Sequence, residues 1–259
     1  MFYPQGLPHK NELRYAAERL DSIELNGSFY ALQRPSSYRH WAEETPADFV
    51  FSIKGGRYVT HIRRLQNPTE ALSSFFASGL LTLGDKLGPL LWQLPPNLRF
   101  DSDLVDTFFS TLPRTTFEAA ALGRNSTLDE SRTWTAVTVD RPLRHAIEVR
   151  HDSFVDDAFI GLARTHGIAI VVADTAGRWP LLREVTADFL YLRLHGDEEL
   201  YASGYTPESL ETWARDVRGW VAGDACPDGV GRDVYVYFDN DTKVRAPYDA
   251  MSLRELLRG

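Results

Sequence analysis

One cysteine, Cys226, stands in 259 residues, which excludes an internal disulfide framework and every multi-cysteine zinc or iron–sulfur motif. Long apolar runs are missing too. Nothing approaches the roughly 18 residues of a membrane-spanning helix, so no membrane association is expected. The opening Met1-Phe2-Tyr3-Pro4-Gln5-Gly6 has neither a basic nor an apolar leader segment, and a cytoplasmic location is expected. There is no phosphate-binding G-x-x-x-x-G-K-[ST], no dinucleotide G-x-G-x-x-G after a strand, no G-x-S-x-G elbow and no H-E-x-x-H. Cys226 itself lies in the Gly/Asp/Pro-rich stretch AGDACPDG, a poor setting for a nucleophile.

What is present is a globular composition, 43% hydrophobic and 25% charged, with a formal net charge of −8. The acidic balance argues against a non-specific nucleic-acid coat and leaves room only for a local basic site. Seven short β-branched or aromatic runs read as strands: 22–26, 49–54, 90–94, 146–150, 168–174, 189–195 and 234–239. Helical stripes alternate with them. Thr206 and Pro207 should cap and start a helix carrying Leu210, Trp213, Ala214, Val217 and Trp220 on one face. Asn67, Pro68 and Glu70 resemble a capping box ahead of Leu72, Phe75 and Phe76. The long interval 113–145 should hold an extra helix around 128–139.

Strand alternating with helix implies a parallel sheet, and this length suits one α/β domain, 1–259, of the TIM-type (β/α) barrel class. Seven of the eight strands of such a barrel are visible. Pro4, Gly6 and Pro8 make a strand ahead of Leu13 implausible, so the chain is expected to be one strand short.

Alternation then sorts the charges. In LYLRLHG, Leu190, Leu192 and Leu194 share the helix-facing side, which turns Tyr191, Arg193 and His195 inward. The same rule turns Glu24, Asn26, Ser52, Lys54, Glu148, Arg150, Tyr237 and Asp239 inward, with Gln93 and Asp174 assigned by their late positions. Most lie near strand C-termini, where barrel enzymes build active sites. The alternative is a salt-bridge network, Glu24 with Lys54 or Glu148 with Arg193, that only fills the interior. Apolar side chains would fill it without desolvating charge.

At these residues the sequence resembles the YecE-like family, domain-of-unknown-function family number 72. The matching segments are YPQGL, IELNGSFYALQRPSSYRHWAEETPADFVFSIKGGRYVTH, LGDKLGPLLWQLPP, AIEVRHDSF, VVADT, TADFLYLRLHG and VYVYFDND followed by APYDA. The resemblance implies a TIM-type barrel and no particular activity. It also marks Phe29, Tyr30, Thr60, His61, His151, Gly196 and Asn240, beside the inward set, as motif positions. Members usually begin with a further strand carrying Gly-x-x-Gly-Trp, in keeping with the strand count.

The expected function is that of an enzyme on a small phosphate- or carboxylate-bearing substrate, working by hydrolase-type or lyase- or isomerase-type acid–base chemistry. Catalytic candidates are Glu148, His195, Asp174 and Glu24. Substrate-binding candidates are Asn26, Lys54, His61, Gln93, Arg150, His151, Arg193, Tyr237 and Asn240, the cations because guanidinium and ammonium groups suit anions. No cofactor is required. A second reading is a divalent-metal hydrolase, phosphodiester bonds included, and a third is a non-catalytic ligand-binding or partner-docking barrel.

Overall fold

The computed structural model describes residues 1–197 and 199–259. Its strands are β1 Ser22–Leu25, β2 Val50–Lys54, β3 Leu87–Gln93, β4 His145–Glu148, β5 Ala169–Ile170, β6 Val172–Asp174, β7 Phe189–Leu194 and β8 Asp233–Phe238. The α-helices are α1 Glu12–Ala17, α2 Gly27–Tyr30, α3 Pro35–Glu43, α4 Thr69–Ala77, α5 Ser102–Thr111, α6 Thr116–Gly123, α7 Asp157–His166, α8 Pro207–Ala222 and α9 Ala246–Arg258. Hydrogen bonds gather the strands into a sheet of five and a sheet of three. This is an α/β fold with parallel strands and outer helices. Two compact units divide the chain, Pro8–Ile147 and the combination of Met1–Leu7 with Glu148–Gly259.

In Pro8–Ile147, β1 and β2 pair in parallel with Glu24 opposite Ser52, and β2 and β3 pair in parallel with Lys54 opposite Leu91. One face of these strands therefore carries Glu24, Ser52, Lys54 and, two residues beyond Leu91, Gln93. The other face sends Trp92 into the aromatic core. The indole lies 5.4 Å from Phe75 of α4 and 5.6 Å from Phe108 of α5, and its Nε1 donates to His145 Nδ1 at 3.1 Å. A Cβ on Gly55 would overlap the six-membered ring of Trp92. Because Trp92 is fully buried and tied to His145, it has nowhere to retreat. Gly55→Ala is expected to lower stability by about 1–3 kcal/mol in urea unfolding, the usual cost of overpacking. A loss below measurement error would show that the indole can shift.

In the second unit, β6, β7 and β8 run parallel, with Ala173 opposite Arg193 and Arg193 opposite Tyr237. Leu190, Leu192 and Leu194 enter one apolar cluster with Leu210, Trp213, Ala214, Val217 and Trp220 of α8 and Leu253 of α9. The α8 N-terminus forms as expected, with Thr206 accepting a bond from the Ser209 amide at 3.1 Å and Pro207 in the first turn.

Three local expectations are corrected. The 168–174 run breaks at Val171 into β5 and β6. No α-helix occupies 128–139. Only a 3₁₀ turn, Glu130–Arg132, forms there, and Trp134 N bonds Ala77 O at 2.7 Å in extended chain. Thr133, Thr135, Val137, Thr138 and Val139 explain this, since β-branched residues lose rotamer freedom in a helix. The extra helix of that interval is α6, further upstream. The capping box also fails. Asn67 sits at φ 44°, and α4 starts at Thr69 behind Pro68 without a side-chain cap.

Candidate active site

The polar face of the second unit begins with Glu148, the last residue of β4. Its side chain is wholly buried, and both carboxylate oxygens accept guanidinium hydrogens. Arg150 Nε reaches Oε1 at 2.8 Å and Arg193 Nη1 reaches Oε2 at 2.6 Å. Arg193, from β7, also donates Nη2 to Asp239 Oδ2 at 2.9 Å, just past the end of β8. Two guanidiniums and two carboxylates thus balance in charge, which is the condition for burying them. Tyr191 and Tyr237, on the same strand faces, lie tilted against each other at 5.0 Å.

His195 follows Arg193 by two residues and so faces the same side. It is fully buried, with Nδ1 3.2 Å from Asp239 Oδ2 and Nε2 3.8 Å from Glu148 Oε1. Neither ring nitrogen is aligned for a hydrogen bond among the described residues. Tyr201 lies edge-on against the imidazole at 5.4 Å and accepts from Arg150 Nη2 at 3.3 Å. Burial is the first cause that raises the Tyr201 phenol above its ordinary range. Arg150 is further clamped by the Trp179 ring, 4.0 Å from its guanidinium carbon. Exposure separates the members: Arg193 is 1% exposed, whereas Arg150 is 13% and Asp239 29% exposed. The edge open to a ligand is therefore Arg150 and Asp239.

Asp174 does not join this group. Its register partner is Leu194 and it lies two residues from Val172, so alternation puts it on the helix-facing side with both. Its late strand position was misleading because β6 starts afresh after the break at Val171. There Tyr205 donates its hydroxyl to Asp174 Oδ2 at 3.0 Å, and burial raises the carboxyl above its usual range. An open cavity of about 340 Å³ lies beside it, lined also by Leu181, Arg183, Ser209, Thr212 and Trp213. His151 caps a 3₁₀ turn through Nδ1, which accepts the Ser153 amide at 3.0 Å. Asn240 is buried and braces the loop, donating to Ser203 O at 2.9 Å and to Asp249 Oδ2 at 2.8 Å.

The remaining candidates belong to the other unit. Lys54 is buried, with its Nζ 4.6 Å above the Phe29 ring, and His61 meets that ring edge-on at 5.0 Å. His61 Nδ1 lies 2.9 Å from Thr60 Oγ1. Glu24, Asn26 and Gln93 occupy the ends of β1 and β3 on the polar side described above.

Asp239, Tyr201 and Trp179 belong to the cluster but not to the expected site set. For Asp239 the signal existed, since it alternates with Tyr235 and Tyr237, but Asp239-Asn240-Asp241 also resembles a turn. Tyr201 and Trp179 arrive from loops, where no periodicity marks them. Among the described residues no three His, Cys, Asp or Glu side chains are grouped to hold a metal ion, so the divalent-metal reading gains no support. Nor is any helix among them long and apolar enough to cross a membrane.

The motifs that end these strands are those of a single family over the whole chain. The family model described as "Protein of unknown function DUF72" matches residues 1–259. The chain belongs to the DUF72 family. The UPF0759 protein YunF of Bacillus subtilis is 28% identical over 99 residues, 36% of this chain. That match spans about a third, 35%, of the curated relative's length. A DUF72 family protein of Thermotoga maritima has a similar structure, with a TM-score of 0.76 and 24% identity over 99% of this chain and 93% of the other. One from Enterococcus faecalis gives a TM-score of 0.72 at 15% identity, over 95% of this chain and 88% of that one. At such identities these DUF72 structures speak to the fold alone.

Proposed function

We propose that this DUF72 protein is an enzyme that performs acid–base chemistry on a small phosphate- or carboxylate-bearing substrate, with its site in the second unit. We take the fold to be one TIM-type barrel domain, 1–259, a reading supported by parallel register within each unit and by the near-complete overlay on the Thermotoga maritima protein. The observation that carries the function is His195. A fully buried imidazole within 4 Å of two carboxylates, with neither nitrogen in a hydrogen bond among the described residues, is poorly explained as packing.

Glu148 has both oxygens engaged by arginines and serves as the brace. Arg193 is likewise spent on Glu148 and Asp239. Arg150 remains, oriented by Glu148, Tyr201 and Trp179, and its partly exposed side chain takes the anion. His195 and Asp239 form the proton-transfer pair beside it. In the first unit we propose Glu24, Asn26, Lys54, His61 and Gln93 as polar ligand contacts in their own right, on the strength of their shared strand-end position.

Inorganic phosphate is the probe. Isothermal titration should detect phosphate binding that Arg150→Met weakens at least ten-fold, while His195→Gln and Asp239→Asn stay within about three-fold of wild type. On a panel of phosphate monoesters and hydroxycarboxylates, those two variants should lose 10²-fold or more in turnover. Phosphate affinity indifferent to Arg150→Met would overturn the anion assignment. Turnover unchanged in both acid–base variants would leave a network that only fills the interior.

A further inference from the structure

The chain is acidic overall, yet its acidic residues are absent from two segments. Residues 25–42 and 49–69 contain no Asp or Glu, while they hold Arg34, Arg39, Lys54, Arg57, Arg63 and Arg64. Both include the connections that follow strands of the first unit. The first passes from β1 into α2, and the second passes from β2 into a π-helical turn, Tyr58–Ile62.

These connections are fastened together. Ser28 Oγ donates to Lys54 O at 2.7 Å, and the Phe29 ring lies under Lys54 and against His61. Tyr30 packs edge-on against Phe29 at 5.1 Å, yet it is 72% exposed. From the adjoining turn Tyr58 is 54% and Ile62 56% exposed. Two tyrosines are thus presented to solvent from adjoining connections. Around them, no ion pair engages Arg34, Arg57, Arg63 or Arg64 among the described residues. Arg64 is held in place by the neutral Asn97, at 3.1 Å and 2.8 Å.

We infer that this surface of the first unit binds single-stranded nucleic acid. Guanidiniums without ion pairs among the described residues, on segments that carry no carboxylate, suit phosphates, and exposed tyrosine faces suit unstacked bases. An acidic peptide would satisfy the arginines but offer nothing flat to the tyrosines. A duplex hides its base faces in the stack, so single strands fit the combination better.

Fluorescence anisotropy with labelled dT20 tests the assignment. Saturable binding is expected at about 50 mM salt, with log K falling against log salt at a slope of roughly −2, for about three phosphate contacts. Arg57→Gln with Arg63→Gln should weaken binding at least ten-fold and flatten the slope. Tyr30→Ala with Tyr58→Ala should weaken it about ten-fold without changing the slope. All four side chains are on the surface or at its edge, so the melting temperatures of the variants should match wild type; single substitutions serve if either pair does not fold. Absence of saturable binding, or binding untouched by both pairs, overturns the proposal. So does equal binding of heparin or duplex DNA with no response to the tyrosine pair, which would mark a plain polyanion surface.

Discussion

Glu148→Ala is expected to cost about 3–5 kcal/mol of folding stability, a large part of the roughly 5–15 kcal/mol that holds a domain together. The carboxylate accepts from Arg193 at 2.6 Å and from Arg150 at 2.8 Å in a place that water does not reach. Removing it takes from Arg193, 1% exposed, the carboxylate that it meets at 2.6 Å. Most of the loss is the desolvation cost of a guanidinium that has lost part of its compensation rather than the intrinsic strength of the bond. Replacing both charges should therefore hurt less than the sum of the parts. Glu148→Gln combined with Arg193→Met should recover about 1–3 kcal/mol relative to additivity in a double-mutant cycle by urea unfolding. Additive losses, or a Glu148→Ala cost below about 1 kcal/mol, would mean that the network is wetter than its burial indicates.

The parts of this site that were legible beforehand are those governed by strand alternation. Arg193 is the clearest case, because Leu190, Leu192 and Leu194 all enter the α8 cluster and leave Arg193 nowhere to point but at Glu148. Glu148, which ends β4, and Arg150, two residues beyond it, obey the same rule. Alternation fails where a strand is interrupted, which is why Asp174, beyond the break at Val171, ends on the helix side with Tyr205. It is also silent about loops. Tyr201 and Trp179 complete the cage around Arg150 through backbone paths that carry no period, and Tyr201 does so at φ 63°. Helix placement shows the same division. The capped, strongly striped α8 is where Thr206 and Pro207 put it, whereas the β-branched run after Leu128 holds that stretch out of a helix beyond the turn at Glu130–Arg132. Charge segregation between the halves of the molecule was hidden behind the net value of −8, since an average says nothing of where the carboxylates are missing.

A second large effect is expected on acidification, and it comes from His145 rather than from the candidate site. Its Nδ1 accepts from Trp92 Nε1 at 3.1 Å, so the ring proton sits on Nε2, which donates to Pro113 O at 2.7 Å. The imidazole is wholly buried and neutral. Burial is the main cause that lowers it to about 4, with Arg114 adding to the effect and the Pro113 bond opposing it. In the unfolded chain the same group titrates near 6.5. Between those values the unfolded state binds the extra proton, so stability rises with pH across the window and falls as the solution is acidified. The contribution is intact above 6.5 and lost by about pH 4, at about 1.4 kcal/mol per unit, or roughly 3 kcal/mol in all. Asp174 works in the opposite sense, because its raised carboxyl takes up a proton more readily when folded and so offsets part of the acid loss. His145→Gln removes the titration and should flatten the stability profile between pH 6.5 and 5 whatever it costs at neutral pH. Urea unfolding at closely spaced pH values measures the slope, and a variant profile parallel to wild type would place the acid-sensitive group elsewhere.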